Sequence, residues 1–412
     1  MMLFLSNFKS TVLLWFLVLA TCGNDSENVA ERTQSQTEPQ IVQEKKEIVV
    51  AANRTEAYLP ILKGKKIAVV ANQTSVIFKT EGHTHLVDSL LSLGVDIKHV
   101  FAPEHGFRGN FDAGEHVNNS KDIKTGLELI SLHGKNRKPN QDQLEGLDLV
   151  LFDIQDVGVR FYTYISTMQL VMEACAEKGI PVLVLDRPNP NAHYVDGPTM
   201  EAEHTSFLGM TQIPLVYGMT IGEYANMINE EMWLEGNKKV NLTVIPLENW
   251  AHDMFYSLPI RPSPNLPNDT SITLYPSLGM FEGTNINAGR GTEFQFQRYG
   301  ASFLDSKVYD FTYTPEPNFG SKYPKEEGKL CYGKDLSNTE RMNQVTMDFI
   351  IDAYTNTLDK SKFFLTSGFT KHAGNNRLQK QIEAGATNAE IKTTWQEDIE
   401  KFKKIRAKYL LY

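Results

Sequence analysis

Cysteine is scarce. Three residues in 412, at positions 22, 175 and 331, offer no metal-knuckle or disulfide-framework spacing, so neither a zinc ribbon nor a stapled scaffold is expected. Cationic excess is missing too: 41 Lys and Arg against 50 Asp and Glu leave a formal charge of −9, which argues against a phosphate-backbone binder and makes nucleic acid an unexpected partner. No GxGxxG follows the first strand-length apolar run at 66–71, which continues instead as Asn72-Gln73-Thr74-Ser75, so dinucleotide binding has no support and no cofactor is expected. No HExxH is present, and no bound metal is expected. The apolar run at 12–20 is too short for a stable membrane span.

What is present is globular in character: 41% hydrophobic and 22% charged residues, over a length that suits two ordinary domains better than one minimal core. The N-terminus carries Lys9, then the apolar run, then Leu19-Ala20-Thr21-Cys22, which looks like a bacterial lipobox. A signal peptide over 1–21 is therefore expected, with lipidation of Cys22 anchoring the protein to a membrane; the alternative is an ordinary secretory signal with a chance cysteine. Both export the protein. Residues 23–47 are rich in Asn, Gln, Glu, Ser and Thr, and 22–50 is read as a solvated tether. Cys175 falls in a helical apolar pattern and reads as a buried small hydrophobe.

From residue 65 onward, strand-length apolar runs alternate with helical periodicity, the pattern of a mostly parallel sheet covered on both faces. Strands are expected at 66–71, 97–101, 127–132, 147–153, 181–185 and 241–247, and helices at 85–93, 164–178 and 220–230. The fold class is α/β, with a Rossmann-like domain over 51–265 and a smaller α+β C-terminal domain over 266–412, largely helical from 338 onward.

In such a sheet, ligands bind beyond the carboxyl ends of the strands, where loops converge. The polar clusters fall there: Asn72 to Ser75 after the first strand, APEHGFRG (102–109) after the second, SLHG (131–134) after the third, DIQDVGVRFYTY (153–164) after the fourth and DRPNP (186–190) after the fifth. Glu104, His105, Arg108, Asp153, Asp156, Arg160, Asp186 and Arg187 would then share one mouth, a set suited to proton transfer beside recognition of an anionic, hydroxyl-rich ligand. Each also has a structural reading: Asp153 and Asp186 as helix caps, Arg160 paired with Asp156, His105 bonded to a carbonyl. Glu104, between Pro103 and Gly106, is the member whose loop is hardest to explain without function. Later, FEGTNINAGRGT (281–292) gathers Glu282, Asn285, Arg290 and glycines that permit close backbone approach, and RPSPNLP (261–267) forms a stiff candidate wall.

The strings APEHGFRG, FDIQDVGVRFYTYISTM, LDRPNP with a following GP, GMTIGE (218–223), RPSPNLP and EGTNINAGRGT, in this order, closely resemble the NamZ-like exo-β-N-acetylmuramidases of glycoside hydrolase family 171. The resemblance covers about residues 60–412. It implies an enzyme that removes N-acetylmuramic acid from the non-reducing end of peptidoglycan fragments, whose partners are muramyl saccharides; no protein partner is inferred. EFQFQ (293–297) departs from the family pattern at one wall of the pocket.

Glycoside hydrolysis usually needs one carboxylic acid to protonate the leaving oxygen and a second group to attack or to activate water. Glu104 is assigned as the acid. The second group is Glu115, Asp153, Asp156 or Glu282, unless the sugar's own 2-acetamido group attacks. The lactyl carboxylate requires a cation, from Arg108, Arg160 or Arg290, and Tyr162 and Tyr164 are placed to stack on the sugar. Asn72, His105, Glu115, Asp186, Asn189 and Asn285 complete the candidate binding set. Two rival functions stand beside this one: a metal-dependent amidohydrolase, motivated by His83, His85, His105, His116 and His133, and a non-catalytic surface glycan-binding lipoprotein.

Overall fold

The computed structural model describes residues 46–109 and 120–412; the expected signal peptide, Cys22, Glu115 and His116 lie outside the described residues. Chain order runs through β1 (Lys66–Ala71), a hairpin of β2 (Val76–Phe78) and β3 (His83–His85), β4 (Asp96–Ala102), β5 (Ser120–Lys121), β6 (Glu128–Ser131), β7 (Leu149–Asp153), β8 (Val182–Leu185) and β9 (Leu242–Ile245). Seven of these form one sheet in the order β5-β6-β4-β1-β7-β8-β9, parallel throughout except for the short edge pair β5–β6. Apart from that edge, the order is that of a doubly wound dinucleotide fold, with the direction of winding reversing between β1 and β7.

Alternate residues explain why both faces are covered. In β1, Ala68 and Val70 enter one apolar core while Ile67, Val69 and Ala71 enter the other; Val150 and Phe152 of β7 divide from Leu149 and Leu151 in the same way. Such strands read as continuous apolar runs because neither face meets water. Helices α1 (Thr55–Leu62) and α2 (Leu86–Ser92) contribute to the second core, and α3 (Tyr164–Lys178) and α4 (Ile221–Glu230) to the first. Cys175 lies fully buried in α3.

The first core continues into the later chain, where it takes in Leu278, Leu304, Phe369, Trp395 and Phe402. There, α5 (Asp269–Leu278) precedes an antiparallel sheet of β10 (Arg298–Ala301), β11 (Phe311–Tyr313) and β12 (Cys331–Asp335), in the order β10-β12-β11. Five helices follow: α6 (Asp348–Thr355), α7 (Thr366–Ala373), α8 (Arg377–Glu383), α9 (Asn388–Thr393) and α10 (Gln396–Arg406). The end of the expected tether belongs to the fold, since Val49 pairs with Glu248 and Val50 is buried.

One polar pair fastens the sheet from inside. Arg187 grips Asp153 through two bonds of 2.6 and 2.8 Å, with both side chains buried, and its Nη2 also donates to the Val76 carbonyl. Removing one partner strands a buried charge, which typically costs 3–5 kcal/mol. Arg187→Met is therefore expected to lower unfolding stability by about 3 kcal/mol or more in urea titration. A loss below about 1 kcal/mol would show that Asp153 takes up a proton at little cost.

Candidate active site

The loop after β4 is built to hold Glu104 in place. His105 sits at φ 69°, in the left-handed region that few side-chain-bearing residues adopt, and Gly106 follows at φ 77°. Beyond them Phe107 is buried edge-on against His85, ring centroids 4.7 Å apart. Burial lowers the His85 pKa to about 4, which keeps the ring neutral: Nε2 donates to the Asn72 carbonyl (2.9 Å) and Nδ1 accepts from the Val87 amide (3.3 Å). Arg108 lies over the Phe107 ring and donates two 2.8 Å bonds to Asp122 and one of 3.1 Å to Asp88. Hydrogen bonding from that guanidinium holds the Asp122 carboxyl at about 2. Arg108 is thus a clasp on the loop, and it is not among the described residues that line the cleft.

The loop after β7 sends its residues in two directions. Tyr162, Thr163 and Tyr164 line a cleft with Glu104 and His105, and Thr163 Oγ1 donates to Glu104 Oε2 at 3.4 Å. The charged members turn inward. Asp156 accepts from the Tyr217 hydroxyl and from the Gly158 amide (2.7 Å), and burial raises its pKa to about 7. Arg160 is fully buried and donates to the carbonyls of Pro198, Ile213 and His372, at 2.7, 3.0 and 2.8 Å. It neither pairs with Asp156 nor reaches the cleft.

Other candidates are likewise bonded to the scaffold. Asp153 is held by Arg187, and Asp186 accepts from Thr220 Oγ1, the Gly222 amide and Tyr412 Oη, at 2.7, 2.8 and 2.7 Å. Asn189 joins the Met219 carbonyl to the Asn191 amide, Asn72 Oδ1 closes a turn on Thr74, and Asn285 donates to the Lys362 carbonyl. None of these lines the cleft.

The opposite side of the cleft comes from the later chain. Asn287 organises the glycine-rich loop, accepting from the Gly289 amide and donating to the carbonyls of Arg290 and Lys325. Gly289, at φ 79°, has no room for a Cβ, which would lie 2.3 Å from the Phe294 carbonyl oxygen. This arrangement sets Arg290 Nη1 3.3 Å from Glu282 Oε2. Dense surroundings raise the Glu282 pKa, but the charges of Arg290 and Lys325 outweigh them and hold it below the ordinary carboxylate value. Glu282 is therefore ionised at neutral pH. His372 of α7 faces the same space; its Nδ1 donates to the Gly368 carbonyl at 2.9 Å, and burial lowers its pKa. Nε2 is left as an acceptor.

The cleft has a cavity volume of about 160 Å³ and opens to solvent. Among the described residues it combines two carboxylates, one arginine and a wall of edge-packed rings: Tyr162–Tyr164 at 4.9 Å, Tyr162–Tyr275 at 6.0 Å and Tyr275–Phe296 at 4.8 Å. Of the expected set it gathers Glu104, His105, Tyr162, Tyr164, Glu282 and Arg290, with Ser263, Asn265 and Leu266 of the RPSPNLP segment as a wall. Tyr275, Phe296 and His372 were not anticipated. Phe296 lies in the EFQFQ segment where the sequence departs from the family pattern, whereas a lone histidine in a helical stretch carries no signal.

Among the described residues, the histidines behind the amidohydrolase alternative, His83, His85, His105 and His133, form no group with the spacing of metal ligands. Among the described residues, one group has the spacing of metal ligands, Glu201, Glu203 and His204, and it contains none of them.

Comparison with known proteins identifies the family. Family models for the N-terminal and C-terminal parts of the exo-β-N-acetylmuramidase NamZ match residues 67–270 and 273–412. The peptidoglycan β-N-acetylmuramidase NamZ of Bacillus subtilis strain 168 is 38% identical over 380 residues, 86% of this chain and 89% of the relative. Two crystal structures of DUF1343 family proteins from Bacteroides fragilis NCTC 9343 superpose with TM-scores of 0.81 and 0.73 at 42% and 26% identity, each over 89% of this chain and 99% of the other. The chain belongs to the NamZ family of exo-β-N-acetylmuramidases.

Proposed function

We propose that the protein is an exo-acting glycoside hydrolase that releases N-acetylmuramic acid from the non-reducing ends of peptidoglycan fragments. Family membership supports the reaction. The observation that carries it to particular residues is the pairing, in one aromatic-walled cleft, of an ionised carboxylate at Glu282 with a second carboxyl at Glu104. Glu104 protonates the glycosidic oxygen as the bond to the anomeric carbon breaks. Glu282, kept charged by Arg290, stabilises the developing oxocarbenium ion, either directly or by orienting the 2-acetamido group or a water. His372 Nε2 is a further acceptor in the same space. Incubation with a chromogenic N-acetylmuramic acid glycoside and its N-acetylglucosamine counterpart tests reaction and specificity together; release from neither would refute the proposal.

The reading includes export and a lipid anchor. Its support is the sequence alone: Lys9, the apolar run at 12–20, Leu19-Ala20-Thr21-Cys22 and the polar stretch after it. Among the described residues no helix is long and apolar enough to cross a membrane. Cys22→Ser is expected to move the protein from the membrane fraction to the soluble fraction with its activity unchanged. A variant that stays with the membrane would point to an uncleaved signal.

A further inference from the structure

The connection between β11 and β12, residues 314–330, is long for a loop without regular structure, and such loops are usually functional. It carries two rings that the fold does not bury: Phe319 is 65% exposed and Tyr323 89% exposed. Large apolar groups left in water on an otherwise ordered loop call for an explanation.

The loop itself is firmly held. Pro315, Pro317 and Pro324 restrict its backbone. Asn318 and Ser321 exchange backbone bonds of 2.9 and 3.1 Å across a tight turn, so Gly320 and Ser321 are buried while Phe319 stays outside. The Glu316 amide donates to the Gly291 carbonyl (2.8 Å) and Asn318 Nδ2 to the Thr292 carbonyl (3.1 Å). The Gly320 carbonyl accepts from two residues of the cleft wall, Asn265 Nδ2 at 2.6 Å and Arg290 Nη2 at 3.4 Å. Lys325 then donates to the carbonyls of Phe281, Glu282 and Thr284. Both ends of the turn are thus bolted to the segment that carries Glu282 and Arg290, and the two exposed rings belong to the stretch held between those anchors, Asn318 and Lys325.

We infer that Phe319 and Tyr323 form an acceptor subsite that binds the leaving saccharide, the pyranose rings on the reducing side of the scissile bond. This inference rests on the proposed exo-muramidase reading. If the terminal N-acetylmuramic acid fills the cleft, the rest of the fragment must leave over the rim. The C–H face of a β-linked pyranose is apolar and weakly positive, and it stacks on the negative face of an aromatic ring. Because the loop is already ordered, stacking costs little conformational entropy. A substrate ending in a small chromogenic group gains nothing from such a platform, whereas a tetrasaccharide does.

The test compares the full-length enzyme with Phe319→Ala/Tyr323→Ala on the chromogenic muramic acid glycoside and on a peptidoglycan-derived tetrasaccharide with N-acetylmuramic acid at its non-reducing end. The double variant is expected to lose about tenfold or more in kcat/KM on the tetrasaccharide, with little change on the short glycoside. Tyr323→Phe, which keeps the ring, is expected to retain most of the activity that Tyr323→Ala loses. Calorimetric titration of the tetrasaccharide into Glu104→Gln, with and without the double substitution, gives a second readout that needs no turnover, and a tenfold rise in Kd is expected. Equal losses on both substrates, or an unchanged Kd, would overturn the inference while leaving the muramidase reading intact. Absence of muramidase activity in the unsubstituted enzyme would remove that reading and the subsite with it.

Discussion

Glu104→Gln is expected to lower turnover on an N-acetylmuramic acid glycoside by about 10²–10⁴-fold while leaving the fold intact, the range general acid catalysis supplies. The substitution keeps the shape of the side chain but replaces the ionisable carboxyl by an amide that has no acidic proton to give. The surroundings should accept it. Thr163 Oγ1 donates to Glu104 Oε2 at 3.4 Å and can equally donate to an amide oxygen. The features that shape the loop, the buried Phe107 on His85 and the Arg108–Asp122 clasp, do not involve the substituted group. A melting temperature close to that of the parent, together with the rate loss, is the expected pair of results. Near-parental turnover would transfer the acid role elsewhere in the cleft. A substrate whose leaving group needs no proton, such as a dinitrophenyl glycoside, separates the two cases, because it should recover much of the lost rate only if Glu104 is the acid.

The sheet was legible in the sequence because its strands are buried on both faces and its helices are punctuated. α3 begins at Tyr164 and ends at Lys178 as expected, with Gly179 in the left-handed conformation that stops it. The hairpin β2–β3 escaped notice because strands of three residues carry too little pattern to read. The site was legible only as a region. Five polar loops do end at the carboxyl edge, but a sequence does not say whether a charged residue there points up into the cleft or down into the scaffold. Asp153, Asp156 and Arg160 share one loop with Tyr162 and Tyr164, yet the charged three are buried and bonded within the scaffold while the tyrosines line the opening. Tyr275, Phe296 and His372 come from three segments with no common motif and meet only through the packing of α5 and α7 against the loop after β7.

Correcting Arg108 and Arg160 changes where specificity should reside. N-acetylglucosamine lacks only the lactyl ether of N-acetylmuramic acid, so discrimination must come from a group that needs that carboxylate. Arg290 is the arginine that lines the cleft. Its guanidinium carries five N–H donors in a planar fork, and the bonds to Glu282 and to the Gly320 carbonyl, at 3.3 and 3.4 Å, are long. An incoming carboxylate can compete with these long bonds for the donors of the guanidinium. A site built around a charged partner rejects the analogue lacking it by as much as about 10⁴-fold. Arg290→Met is therefore expected to abolish most of the preference for the muramic acid glycoside, with the ratio of the two kcat/KM values falling by about a hundredfold or more. The ratio matters more than either rate, because the same change deprives Glu282 of the guanidinium that helps hold its carboxyl below the ordinary range. That second effect raises the Glu282 pKa and moves the acid limb of the pH–rate profile upward for both sugars alike, so it cancels in the ratio above that limb. Arg290→Lys, which keeps the charge but not the fork, should fall between parent and Met variant. If the ratio is unchanged in Arg290→Met while the acid limb shifts, Arg290 serves Glu282 alone and the lactyl group is recognised by uncharged donors in the cleft.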